Sequence, residues 1–189
     1  MAFGEAANCY RWTMEFVCPD PKARVRAGNV RATLGAFKLM PELGPRMITQ
    51  HGLKVEDLNS ERFILVQPWL NALKDIQSTV GPDKVRSVGR NLIDHAHFPP
   101  SITDPEEILM ALDDIHYLNH RGEVGHYVSS RATDGTIVVR CETPYPAAFE
   151  WGLVDGICRN PRASRRYEIQ FDPAASGQTL TCTLHVRRL

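Results

Sequence analysis

A change of period at Gly122 constrains this chain most. Before it, apolar residues recur at steps of three and four; after it, they alternate with polar ones. Val30, Leu34 and Phe37 form one helical stripe, interrupted by Pro41 and the Gly44-Pro45 pair. Met47 and Ile48 mark a short helix that stops at Gly52, with Leu53 placed for the apolar contact that follows a glycine cap. Trp69, Leu73, Ile76 and Val80 mark a longer helix ending at Gly81. Pro82 opens another, carrying Val85, Val88, Leu92 and Ile93, which Phe98-Pro99-Pro100 closes. Beyond Gly122, arms near 123–130 and 136–141 flank an Asp134-Gly135 turn and predict a hairpin. A helix carrying Phe149, Leu153 and Ile157 follows Pro144 and Pro146. Two strands close the chain, one with Tyr167, Ile169 and Phe171, the other with Leu180, Cys182, Leu184 and Val186, turning around Pro173 and Gly177. At the start, Tyr10, Trp12, Met14 and Phe16 alternate with polar residues over 9–17. This predicts a half-buried strand ended by Cys18-Pro19-Asp20-Pro21. A strand, a helical half and then β-β-α-β-β make an α+β protein, with an antiparallel sheet packed against helices.

The 189 residues suffice for one domain with a substantial core. Lys plus Arg equals Asp plus Glu, 22 of each, so no basic field points to nucleic acid. The local run Arg159, Arg162, Arg165 and Arg166 reads as a solvated loop. No stretch of about 18 apolar residues predicts a membrane span, and the first residues lack the pattern of a secretory signal. Five cysteines with no CxxC pair fit buried free thiols in a reducing cytoplasm, so a cytoplasmic location is expected.

Leu112-Asp113-Asp114-Ile115-His116 is the segment richest in chemical content. Asp104 can cap its helix and Pro105 suits the first turn. Ile108, Leu109, Leu112, Ile115 and His116 then fall on one apolar stripe. A neutral imidazole facing an apolar cavity can ligate a metal or haem; it can equally be a core histidine satisfied by hydrogen bonds. His95, His97, His116, His120 and His126 are close in sequence but lack the spacing of a zinc motif. Asn119-His120-Arg121-Gly122 reads as a helix C-terminus whose cations meet the dipole. No GxSxG, GxGxxG or P-loop is present, and adjacent Asp113 and Asp114 diverge on a helix. The residues therefore point away from an enzyme.

From Gly28 onward the chain resembles the H-NOX domain, the haem-based nitric oxide and oxygen sensor, and its wider superfamily, which includes the four-vinyl-reductase type domains. The resemblance rests on ordered segments: Gly28-Asn29-Val30, Gly44, His51-Gly52-Leu53, Val88-Gly89-Arg90-Asn91-Leu92-Ile93, Phe98-Pro99, Leu112 to His116, and Phe149 to Gly156. It implies a ligand-binding domain over 28–189, with 1–27 an extension that adds an edge strand. It further implies haem with His116 as iron ligand, a diatomic gas, and a signalling protein partner. The family holds haem propionates with Tyr-x-Ser-x-Arg. Tyr127, Ser129 and Arg131 spell that pattern, although close behind His116 and inside the hairpin. The position implied by Gly152 instead carries Arg140 and Tyr145, with Ala147 and Ala148 beyond. The alternative within the same fold is a haem-free module for a small hydrophobic ligand or a protein partner.

Overall fold

The computed structural model describes residues 16–59, 61–159, 166–173 and 182–189. It begins in a turn. Phe16 adopts a φ of 67°, its N–H donates to the Pro144 carbonyl at 2.7 Å, and Gln67 holds the neighbouring backbone of Phe16 and Cys18. Most of the strand expected over 9–17 lies outside the described residues; its last residues are turn, not strand.

Strand β1 (Arg24–Arg26) leads directly into helix α1 (Ala27–Ala36), followed by α2 (Leu43–Thr49). Pro45 sits within the first turn of α2, where its missing N–H costs nothing. Gly52, at φ 78°, ends this unit, and Leu53 N–H returns to the Ile48 carbonyl. Strand β2 (Phe63–Leu65), α3 (Val66–Thr79) and α4 (Pro82–Asn91) come next, with Gly81 at φ 109° between the two helices.

The helix expected after Asp104 is two helices. The Asp104 carboxylate accepts the Glu106 N–H at 2.9 Å, as a cap should. Yet α5 (Pro105–Met110) and α6 (Leu112–Asn119) are separated at Ala111, whose φ and ψ are −97° and 13°. The break leaves the stripe intact: Ile108, Leu109, Leu112, Ile115 and His116 are all buried.

Strand β3 (His120–Arg121) follows at once. It joins β1 and β2 in a three-stranded antiparallel sheet with β1 in the middle. These strands are two or three residues long, too short to show a period of two. The second sheet holds β4 (His126–Arg131), β5 (Ile137–Glu142), β6 (Tyr167–Pro173) and β7 (Cys182–Arg188) in the antiparallel order β4-β5-β7-β6. Helix α7 (Ala147–Cys158) connects its two hairpins, so the expected β-β-α-β-β order is present. The first arm starts at His126 rather than near 123, because Gly122 and Gly125 both take φ of 80°. The Asp134-Gly135 turn is where expected, with the Asp134 side chain accepting the Thr136 N–H. Leu180 and Gly177 lie outside the described residues. Cys18, Cys141, Cys158 and Cys182 are buried free thiols. No helix among the described residues is long and apolar enough to cross a membrane.

Helices α4 and α7 are in contact through their backbones. A Cβ added at Gly89 would lie 2.0 Å from the Phe149 carbonyl oxygen. One at Gly152 would lie 2.0 Å from that of Arg86, and one at Gly156 2.6 Å from that of Arg90. Any side chain at these positions must push the helices apart. Around the crossing, Asp155 accepts from Arg90 at 2.6 Å and Arg159 at 2.8 Å, and Arg86 lies 3.7 Å over the Trp151 ring. Gly28, also helical, has nothing nearer than 3.7 Å. Gly152→Ala is therefore expected to cost about 3 kcal/mol or more by overpacking. Gly28→Ala should be neutral or gain up to about 1 kcal/mol from helix propensity. Urea unfolding of both variants measures the difference; equal stability would mean that the helices are not in backbone contact.

Candidate functional site

A cavity of about 30 Å³ lies between α1, α3, α6 and α7. Its walls include Asn29, Trp69, Leu92, Phe98, His116 and Phe149, with Tyr127 and Tyr145 behind the histidine. All its lining residues are buried except Ala96 and Phe98, so the mouth is on the segment after α4. Asn119 holds that segment in place: its side chain accepts the His97 N–H and donates to the His97 carbonyl, both at 2.8 Å.

Aromatic rings fill most of the space. Trp69 meets Tyr145 and Phe149 edge-on at 5.4 and 5.5 Å between centroids, and Tyr145 stacks on Phe149 at 4.9 Å. The Trp69 indole N–H donates to Thr33 Oγ1 at 3.0 Å.

His116 and His120 stack at 4.0 Å between ring centroids. His120 Nδ1 is 2.9 Å from the His116 carbonyl oxygen, which can only accept, so Nδ1 carries the proton. Nε2 is then the acceptor, and the Tyr145 hydroxyl donates to it at 2.7 Å. Burial lowers His120 to a pKa of about 4, so the ring is neutral. This corrects the expectation of a helix-end cation: His120 is an inward-facing, uncharged member of β3. His116 is held neutral in the same way, first by burial and then by the neighbouring His120 and His126. The nearby Gly125 backbone acts the other way, favouring the proton. Its Nε2 is buried without a hydrogen-bond partner. Gly125 must be glycine: besides its positive φ, a Cβ there would lie 2.1 Å from the Glu142 carbonyl oxygen. Asn29 Oδ1, on the same cavity, is also buried without a partner.

The candidate residues read from sequence separate. His116, Tyr127 and Tyr145 come together at the cavity. Tyr127 turns its hydroxyl away, donating at 2.8 Å to the fully buried Glu150 carboxylate, which Thr143 also contacts. Ser129, Arg131 and Arg140 do not line the cavity. Ser129 Oγ donates to the Leu109 carbonyl at 2.7 Å; Arg131 pairs with Glu106 at 3.0 Å and Arg140 with Glu142 at 3.2 Å. Arg140 is on the exposed face of the sheet, and Arg131, on the Tyr127 side but at the strand's exposed end, reaches only Glu106 of α5. Two and four residues beyond Tyr145 stand Ala147 and Phe149, so no cation enters the cavity with that tyrosine. Among the described residues no three His, Cys, Asp or Glu side chains are grouped to hold a metal ion. Sequence reading missed Asn29, Trp69, Asn119 and Phe149. Phe149 and Trp69 carried only a core signal, and the two asparagines carried none.

The sequence matches no family model and no curated protein. Solved structures are similar in fold. The H-NOX protein from S. oneidensis in the Fe(II)NO ligation state aligns over 87% of this chain and 99% of its own, at 14% identity and a TM-score of 0.65. A mutant of the T. tengcongensis H-NOX aligns over 85% and 94%, at 12% identity and 0.61. An oxygen-binding H-NOX domain related to soluble guanylate cyclases aligns over 85% and 91%, at 10% identity and 0.59. The chain has the H-NOX fold.

The buried histidines make stability depend on pH. Folded His120 stays neutral down to about pH 4, whereas the unfolded chain takes up a proton below 6.5. Stability is complete above pH 6.5 and falls as pH drops toward 4, by on the order of 3 kcal/mol from this group. His116 contributes with the same sign. Thermal melts should fall steadily between about pH 7.5 and 5, and His120→Gln should flatten the slope by about one proton. A wild-type melt independent of pH over that range would contradict the buried neutral pair.

Proposed function

We propose that this chain is a sensory domain which takes a small ligand into the cavity beside His116 without using haem, and passes its occupancy to a protein partner. The packing of the cavity carries the reading. The free space beside His116 is about 30 Å³, and Trp69, Tyr145 and Phe149 pack against one another around it, so a porphyrin could enter only by displacing those rings. Two haem carboxylates would also need cations, since a buried unpaired charge is costly. Among the described residues no Lys or Arg lines the cavity, and the charge behind Tyr127 is the Glu150 carboxylate. The residues as packed therefore do not fit haem. Helix α6 turns His116 inward while Tyr117 and Leu118, next along it, are exposed. A shift of that helix on binding would alter surface that a partner can read.

One observation favours the second reading, haem ligated by His116. The imidazole is held neutral by burial and its Nε2 has no partner, as a metal-binding histidine needs. Under that reading Arg131 with Tyr127 and Ser129, or Arg140 with Tyr145, would have to leave present partners to reach the carboxylates.

Haem titration of purified wild type and His116→Ala, followed at the Soret band, tests both. The expected result is no saturable Soret band in either protein. His116→Ala should melt lower, as the contacts of a buried ring are lost. A stoichiometric Soret band that His116→Ala abolishes would overturn the haem-free reading.

A further inference from the structure

We infer that a surface groove beside the cavity mouth binds an amphipathic monocarboxylate, its apolar body against Phe98 and Ile102 and its carboxylate on Arg159 and Arg90. The inference goes beyond the sensory reading and holds whether or not His116 binds haem. The groove, of about 700 Å³, runs between the C-terminal ends of α4 and α7 and the segment from Phe98 to Thr103. That is the size of a small-molecule site. One wall is fixed before any ligand arrives. His97 is clamped by Asn119, Pro99 and Pro100 have restricted φ, and the Ile102 N–H returns to the Pro99 carbonyl at 3.1 Å. The other wall is the α4–α7 crossing, where Gly156 lets α7 lie directly against Ile93 and the Arg90 carbonyl. Ile93, Phe98 and Ile102 are only partly buried, and each lines the groove with apolar surface.

Charge at one end selects the head group. Arg90 Nη2 and Arg159 Nε donate at 2.6 and 2.8 Å to the two oxygens of the Asp155 carboxylate, so their guanidinium groups stand side by side on the groove. Arg86 is a third cation near that carboxylate, at 3.9 Å. Asp155 is buried, whereas the Arg159 side chain is 65% exposed and that of Arg90 38%, so both can be reached from the groove. Arg159 commits its Nε to Asp155, and its two Nη groups have no partner among the described residues. Asp94 is the one acid among the described lining residues. Three arginines against Asp155 and Asp94 leave a single positive charge, which matches a monoanion. A carboxylate can accept two parallel N–H bonds from a guanidinium. An alcohol gains nothing from the charge, and an ammonium group is repelled by it. Phe98 also lines the His116 cavity, so an occupant of the groove touches the residue at which that cavity opens.

Octanoate and octanol, equal in chain length and different in charge, are the probes, each titrated into the whole chain by isothermal calorimetry. Octanoate is expected to bind saturably with a midpoint of about a millimolar or below, as a ligand of its size allows. Octanol should bind at least about fivefold more weakly. Arg159→Gln should raise the octanoate midpoint about five- to tenfold and leave that of octanol in place, the effect of one exposed cation. Ile102→Glu, which sets a like charge against the apolar body, should abolish saturable octanoate binding. Arg187→Gln, on the outer face of the sheet, should change nothing. No saturable octanoate binding to wild type overturns the site, and equal midpoints for the two probes overturn the cationic head position. An octanoate midpoint unchanged in Arg159→Gln overturns the residue assignment, and equal weakening by Arg187→Gln overturns the location. Where Ile102→Glu does not fold, Arg159→Gln decides, because that side chain is exposed and Arg90 still holds Asp155.

Discussion

The contact of α4 with α7 sets the geometry on which the cavity depends. Gly89, Gly152 and Gly156 let two helices meet backbone to backbone, with carbonyl oxygens where side chains would otherwise stand. Phe149 belongs to both structures at once: its carbonyl seats against Gly89, and its ring closes the cavity against Trp69 and Tyr145. The aromatic wall cannot retreat without moving the helix, and the helix cannot move without parting from α4. Close-packed interiors transmit such displacements instead of absorbing them.

Beneath that wall the polar groups are organised as two separate sets. One is acidic: Glu150, fully buried, held by Tyr127 and Thr143. The other is basic in kind but uncharged: His116 and His120, the latter fixed as a single tautomer by a backbone carbonyl. Both tyrosines point their protons at protein acceptors, and burial raises the pKa of both well above the usual phenol value. The result is a site rich in oriented lone pairs and poor in mobile charge.

Much of the fold was legible. The helices carrying Trp69 and Leu73, and Val85 and Val88, announce themselves by period and by flanking Gly or Pro, because an amphipathic stripe has to face a core, whereas the Phe149 helix, buried nearly all round, is marked by the prolines before it. The Asp134-Gly135 hairpin is written in turn chemistry. The break at Ala111 was not legible, since alanine is the best of helix formers and only tertiary packing parts α5 from α6 there. The sheet of β1, β2 and β3 was hidden by strands too short to alternate. At the site, His116 was found because its spacing put it on a stripe. Tyr145 was found through a resemblance, and the neutrality of His120 was missed because a helix-end histidine next to arginine looks solvated. Asn29 stood in the Gly28-Asn29-Val30 segment with nothing to mark its side chain: what singles it out is the lack of a partner for its Oδ1, which exists only in three dimensions. Arg131 and Arg140 were drawn in by motif and are held outside by Glu106 and Glu142.

The short sheet has a consequence for how the chain is made. Its central strand, β1, precedes every described helix, yet one of its two neighbours, β3, comes only after α6. Arg24 and Val25 pair with Arg121 and His120, so one edge of β1 stays open until the whole helical half has been synthesised. On a ribosome that emits residues in order, β1 and β2 can close early, whereas the His116–His120 turn docks late and completes the sheet as it does so. Assembly of the site and closure of the small sheet are thus a single event in biosynthesis, and a chain released before β3 would carry an unpaired strand edge, a template for association with other chains.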